Sequence, residues 1–147
     1  MSSMTELSRR DWMGLLARAP VDRLAALLGD APEAAYLRPP EVGTVMVQGR
    51  IGATGGAFNL GEMTVTRCAL RLATGQVGHA HVQGRSKDHA HRAAVVDALM
   101  QTDRAPDVQA RILAPLAAEE ATRRATRAAK AAATRVEFFT LVRGEDK

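Results

Sequence analysis

Apolar residues recur along this chain with two different periods. Near the amino end the spacing is helical. Trp12, Leu15, Leu16 and Ala19 stand at i, i+3, i+4 and i+7. Ser8-Arg-Arg-Asp11 before them resembles a capping box with a shorter Asp in place of the usual Glu. Pro20 suits the first turn of a second helix, Val21, Leu24, Leu27 and Leu28 form its stripe, and Gly29 stops it. Residues 8–29 therefore read as a helical pair, and residues 30–42, with Pro32, Pro39 and Pro40, as a connection.

From residue 43 the period falls to two. Val45, Val47 and Ile51 alternate with Thr44, Met46 and Gln48, which predicts a strand over 43–51. A glycine-rich loop, 52–61, follows. Residues 62–73 and 76–84 predict two more strands around a tight turn at Thr74-Gly75. Val47-Gln-Gly-Arg50 recurs as Val82-Gln-Gly-Arg85, by duplication or by shared strand-end chemistry. Helical spacing returns at Ser86, a candidate N-cap, and runs to about Gln101. It breaks at Asp103–Pro106, resumes near Asp107, restarts or is interrupted at Pro115, and continues to about Ala133. Val136–Val142 is β-branched and aromatic, so residues 134–143 predict a closing strand. The expected fold is α+β in one domain over 1–147: N-terminal helices, a small mainly antiparallel sheet spanning 43–85, long helices over 86–133, and that strand.

Composition narrows the function. The single cysteine, Cys68, permits no internal disulfide and cannot alone hold a zinc ribbon or an iron–sulfur cluster. No apolar run approaches the roughly 18 residues that span a bilayer, and the N-terminus lacks a signal-type apolar stretch, so a cytoplasmic location is expected. Of the 20 basic side chains only Lys87, Lys130 and Lys147 are lysines, and the net charge is +4. Arginine favours planar, two-pronged contacts to phosphate or carboxylate.

In an up-down-up meander the first and third strands end at one sheet edge. That edge would gather Arg50, the loop residues Gly52, Thr54, Gly55 and Gly56, Glu62, Arg85 and the helix start with His89. Glycine-exposed N–H groups, a helix N-terminus and two arginines suit a phosphate or phosphonate. The alternative is a mobile hairpin with solvated strand-end arginines. The loop matches neither the Walker A pattern nor the dinucleotide fingerprint. Arg67 and Arg71 share a strand face with Met63, Val65 and Ala69, where they are solvated, partner-facing or a ligand clamp. His79 and His81 share a strand face without an obvious third ligand, so no metal site is assigned. On the helix over 116–133, Glu119/Arg123 and Glu120/Arg124 are favourable i, i+4 pairs beside an alanine stripe. No zinc-finger or recognition-helix signature supports binding to nucleic acid. No Ser/His/Asp or Cys/His nucleophile set is identifiable.

Several segments in order resemble the PhnG family across residues 11–145. They include Asp11-Trp12-Met13, Gly49-Arg50-Ile-Gly52-Ala-Thr-Gly55, Phe58-Asn-Leu-Gly61-Glu62, Thr66-Arg67-Cys68-Ala69-Leu70-Arg71-Leu72, His89-Ala90, Asp97-Ala-Leu-Met-Gln101 and Val136-Glu-Phe-Phe-Thr-Leu-Val-Arg143. The chain departs from that pattern at His79 and His81, positions commonly aromatic. The resemblance implies a non-autonomous subunit of a transferase, α-D-ribose 1-methylphosphonate 5-triphosphate synthase, in the carbon–phosphorus lyase complex. That complex couples methylphosphonate to C1 of the ribose of ATP and releases adenine. The partners implied are the H, I and J subunits, which would carry the catalytic groups. ATP is then a substrate of the complex, and no cofactor is expected on this chain alone. The other implied role is a purely structural adaptor.

Overall fold

A computed structural model describes residues 7–50 and 55–145, with Asn59 and residues 136–145 as backbone only. The Ser8 hydroxyl accepts the Asp11 N–H at 3.2 Å and opens α1 (Arg9–Arg18). Pro20 is the N-cap of α2 (Val21–Leu28), and Gly29, at φ 65°, ends it. Three antiparallel strands follow in the order β1 (Ala34–Arg50), β2 (Ala57–Leu72), β3 (Val77–Gln83). Gly75, at φ 103°, makes the turn between the last two, a conformation that favours glycine. The Ser86 hydroxyl then caps α3 (Lys87–Leu99) by accepting the His89 N–H at 3.1 Å. A short α4 (Ala105–Val108) leads into a π turn, Gln109–Leu113, and α5 (Ala114–Glu145). Ala114 N–H reaches back to the Gln109 carbonyl, so the wider turn accommodates the chain just before Pro115, which has no N–H to give.

Three boundaries differ from the expectation. The predicted connection over 30–42 is largely strand, because β1 starts at Ala34 and passes through Pro39 and Pro40. β1 is an edge strand paired only with β2, and its register slips between Tyr36 and Arg38 and again between Arg38 and Glu41. A proline there forfeits no second ladder. The second strand begins at Ala57 instead of 62, and pairing reaches Arg50↔Ala57, so much of the predicted loop is ribbon. The predicted closing strand over 134–143 is the end of α5. Adding residues to an existing helix is cheap, and the propensity cost of aromatic and β-branched residues is below about 1 kcal/mol each.

The helices cover one face of the sheet. Thr66, Cys68, Leu70 and Leu72 of β2 and Ala80 and Val82 of β3 are buried there. They meet Leu15, Leu16, Leu24, Leu113, Leu116 and the buried run of α3. Each fully buried leucine contributes about 1.5–3 kcal/mol. Alanine dominates α3, which lets that helix lie close to the strands. A Cβ on Gly78 would stand 1.9 Å from the Ala94 carbonyl oxygen.

One polar group ties the layers together. Asp97 is fully buried. It accepts Arg9 Nε at 3.2 Å and Nη2 at 2.9 Å, Trp12 Nε1 at 2.8 Å, and the backbone N–H of His79 at 2.9 Å. Two predictions follow from this packing. Gly78→Ala should lower unfolding stability by about 3 kcal/mol, because backbone has to move to admit the methyl. Asp97→Ala should cost about 2–4 kcal/mol, since it leaves part-buried donors on two elements without their acceptor. Both are read from urea unfolding curves.

Candidate functional site

The meander directs β1 and β3 toward the same side, as expected, yet the strands end at different heights. Gly84 N–H bonds the Thr64 carbonyl at 2.9 Å, which brings Gly84, the residue before Arg85, level with Thr64 and two positions from Glu62. Thr44 pairs with Thr64, and Arg50 lies six residues farther out. At strand spacing this separates Arg50 from the Gly84 level, where β3 has ended, by about 20 Å. Gly55 and Gly56 stand at the ribbon tip with Arg50, while Gly52 and Thr54 lie outside the described residues. The repeated Val-Gln-Gly-Arg segments are not equivalent in space. Val82 is fully buried beneath the helices, whereas Val47 pairs with Gly61 on the ribbon.

His89 is drawn into the core. Its Nε2 donates to the Leu16 carbonyl at 2.9 Å, while Nδ1 is buried without a partner. Burial, aided by Arg92, lowers its pKa below the ordinary 6.5, against the opposing pull of the Leu16 hydrogen bond. Cys68 is also interior, and burial pushes its thiol up to about 11. His89 and Cys68 are thus both occupied in packing.

Arg67 lies on the opposite, helix-free face. β2 places Arg67, Ala69 and Arg71 there, and β3 adds His81 opposite Arg67 and His79 opposite Ala69. Arg67, Ala69, His79 and His81, with Leu37 and Arg38 of β1, border a shallow cavity of about 490 Å³. His81 has its pKa lowered by burial first and then by Arg67, His79 and Arg38, which marks this face as positively charged. The Arg67 Nε is buried and has no acceptor.

Sequence reasoning did not single out a second basic concavity, between α1 and α5. It has a volume of about 560 Å³ and is lined by Arg18, Gln83, Glu120, Arg123, Arg124 and Arg127 among others. Glu120 is buried and holds two of these arginines, Arg18 at 3.2 Å and Arg124 at 2.6 Å. The expected Glu120/Arg124 pair forms. Glu119 turns instead to Arg23 of α2 at 2.7 Å, where two guanidinium nitrogens reach its carboxylate. That contact raises the Arg23 pKa and lowers that of Glu119. The available signal was charge density on α5, which does not reveal that α1 brings Arg18 across to it.

The family model described as "Phosphonate metabolism protein PhnG" matches residues 7–144. This chain belongs to the PhnG family. It is 48% identical over 145 residues to the alpha-D-ribose 1-methylphosphonate 5-triphosphate synthase subunit PhnG of Rhizobium meliloti (strain 1021), covering 94% of this chain and 90% of that protein. As a PhnG-family chain it is thereby placed in phosphonate metabolism, in a family that includes a synthase subunit.

The histidines make a pH prediction. His81, His89 and His91 all have folded pKa values below 6.5, with burial the largest cause for each. Below that pH the unfolded chain binds more protons than the folded one. Stability present at neutral pH is therefore lost as pH falls through 6.5 toward the folded values. His89→Gln keeps a donor for the Leu16 carbonyl and removes one titrating group. Its melting temperature should fall less than that of the parent between about pH 7 and pH 5.

Proposed function

We propose that this chain serves as a non-autonomous subunit of an α-D-ribose 1-methylphosphonate 5-triphosphate synthase. The carrying observation is its 48% identity, over nearly its full length, to a protein of that name. The reaction forms a bond from a phosphonate oxygen to C1 of the ribose of ATP and breaks the C1–N9 bond, releasing adenine. The chain acts with the H, I and J subunits in a cytoplasmic complex, and these supply the catalytic groups of the transferase. ATP and the phosphonate are substrates of the whole complex, and this chain holds no cofactor of its own. Burial of His89 and Cys68 in the core supports that division of labour. Among the described residues no helix is long and apolar enough to cross a membrane.

Within the complex, Arg50 at the ribbon tip and Arg85 at the end of β3 each serve as a cationic donor toward a separate anionic group that a partner or its substrate presents. The separation of these two arginines along the ribbon also favours a second reading, a structural adaptor whose arms hold the partners in place.

One assay separates the two. All subunits are reconstituted, and adenine release from ATP plus methylphosphonate is followed with and without this chain. Omission should abolish release. With assembly intact, Arg50→Ala and Arg85→Ala should each slow it by about 10- to 100-fold if each faces its anionic group. Unchanged turnover in both variants would leave only the adaptor role.

A further inference from the structure

The helix-free face of the sheet does not stop where β3 ends. Gly43 pairs with Val65, Val45 with Met63, Val47 with Gly61 and Gly49 with Phe58, so these positions continue one face out along the β1–β2 ribbon. The register slip between Val47 and Gln48 inserts Leu60, which lies over Gly49. A Cβ on Gly49 would be 2.8 Å from Leu60 Cδ1. Val45, Val47, Phe58, Leu60 and Met63 thus make an apolar side. The reverse side carries Thr44, Met46, Gln48, Arg50, Glu62 and Thr64, mostly polar. The apolar side faces solvent: Leu60 is 62% exposed, Val45 42% and Phe58 40%. A two-stranded ribbon is at best marginally stable alone, and an apolar face of this kind marks an interaction site.

The basic end of the same face supplies the charge argument. Arg67 lies toward Gly43, its Nη2 4.0 Å from where a Cβ would be, between the apolar ribbon and Arg38, His79 and His81. Glu41 is its cross-strand neighbour, yet no salt bridge joins Arg67 or Arg38 to a carboxylate among the described residues. The Arg67 Nε–H is buried and lacks an acceptor. A buried donor of this kind costs stability until an acceptor arrives, most of all when the donor is charged. Nucleic acid would meet the arginines and waste the apolar half. A small anion would do the same. A second copy would set like charges near one another. A protein surface with an apolar patch bordered by Asp or Glu satisfies both halves.

We infer that this face, the apolar side of the ribbon together with Arg38 and Arg67, docks one other subunit of the complex through an apolar patch flanked by carboxylates, one of which accepts from Arg67. The inference rests on the subunit reading and adds to it the surface and its chemistry. Docking also carries the ribbon tip, with Arg50, onto the partner.

The test is co-expression of this chain with the H, I and J subunits, followed by affinity purification and size-exclusion chromatography. Leu60→Asp and Arg67→Glu change exposed or half-buried positions, so the variants should keep the circular dichroism of the parent. Each should weaken assembly about tenfold or more, while Asp103→Lys, outside this face, should leave it unchanged. Reversing an acidic residue of the partner to Lys should restore assembly with Arg67→Glu. Normal assembly of both variants overturns the docking face and leaves the subunit reading standing. Failure of the unaltered chain to assemble overturns both. A homodimer broken by Leu60→Asp, or phosphate binding abolished by Arg67→Glu with assembly intact, assigns the face to another occupant and overturns the proposal.

Discussion

The carboxylate of Asp97 decides how the helices sit on the sheet. It lies in the buried run of α3, and four hydrogen bonds converge on it, from Arg9, Trp12 and the backbone of β3. Hydrophobic burial would hold α1 near the sheet without fixing its rotation or height, since alanine-rich faces slide easily over one another. A buried charge is tolerated only when its acceptor sites are filled, so the packing is pinned to the one arrangement that fills them. Arg9 and Trp12 are three residues apart on one side of α1, and His79 is anchored through its backbone. With α1 set by this joint, Arg18 falls opposite Glu120, and the basic groove between α1 and α5 takes its shape.

The same asymmetry governs the sheet. Three strands with helices on one face bury that face along β2 and β3 and leave most of the other to solvent. The buried side needs no help from outside. The open side combines an apolar ribbon with unpaired arginines, a combination that a protein alone in water would ordinarily avoid. α5 repeats the theme. Residues 121–135 are exposed around the whole helix, a length of about 22 Å with no packed neighbour among the described residues. An isolated helix of that length is marginal in water even when rich in alanine.

Much of this was legible in the sequence where the signal is local. Caps at Ser8 and Ser86, the stop at Gly29, the two-residue period of β2 and β3, and the shared face of Arg67 and Arg71 all depend on residues near one another in the chain. The misreadings share a different cause. Pro39 and Pro40 read as breakers because the sequence does not say that β1 is an edge, where a missing N–H goes unnoticed. Val136–Val142 read as a strand because local preference was taken without the helix that feeds into it. The common edge for Arg50 and Arg85 was drawn from strand direction alone, and strand ends separate when one hairpin outgrows its neighbour. Asp97 left a visible trace, a lone acid in Ala-Val-Val-Asp-Ala-Leu, which marks a buried charge seeking partners. Which partners it finds, 18 and more residues away, is a property of the fold.

These features bear on where the chain keeps its reactive and charged groups. A small subunit can supply an active site by folding around it or by reaching into one. Here the interior is closed: His89 and Cys68 are held in the core, and the buried carboxylate of Asp97 serves as a joint. The groups left for work, arginines on the open face, at the ribbon tip and along α5, lie outside that core. Arginine at the end of an arm has little effect in water, where solvent and salt screen it, and far more once a partner excludes that water. The physical consequence is that the electrostatic contribution of this chain develops with assembly. Its side chains thus fall into two sets, one sealed by the helices and the other left on the open face, at the ribbon tip and along α5.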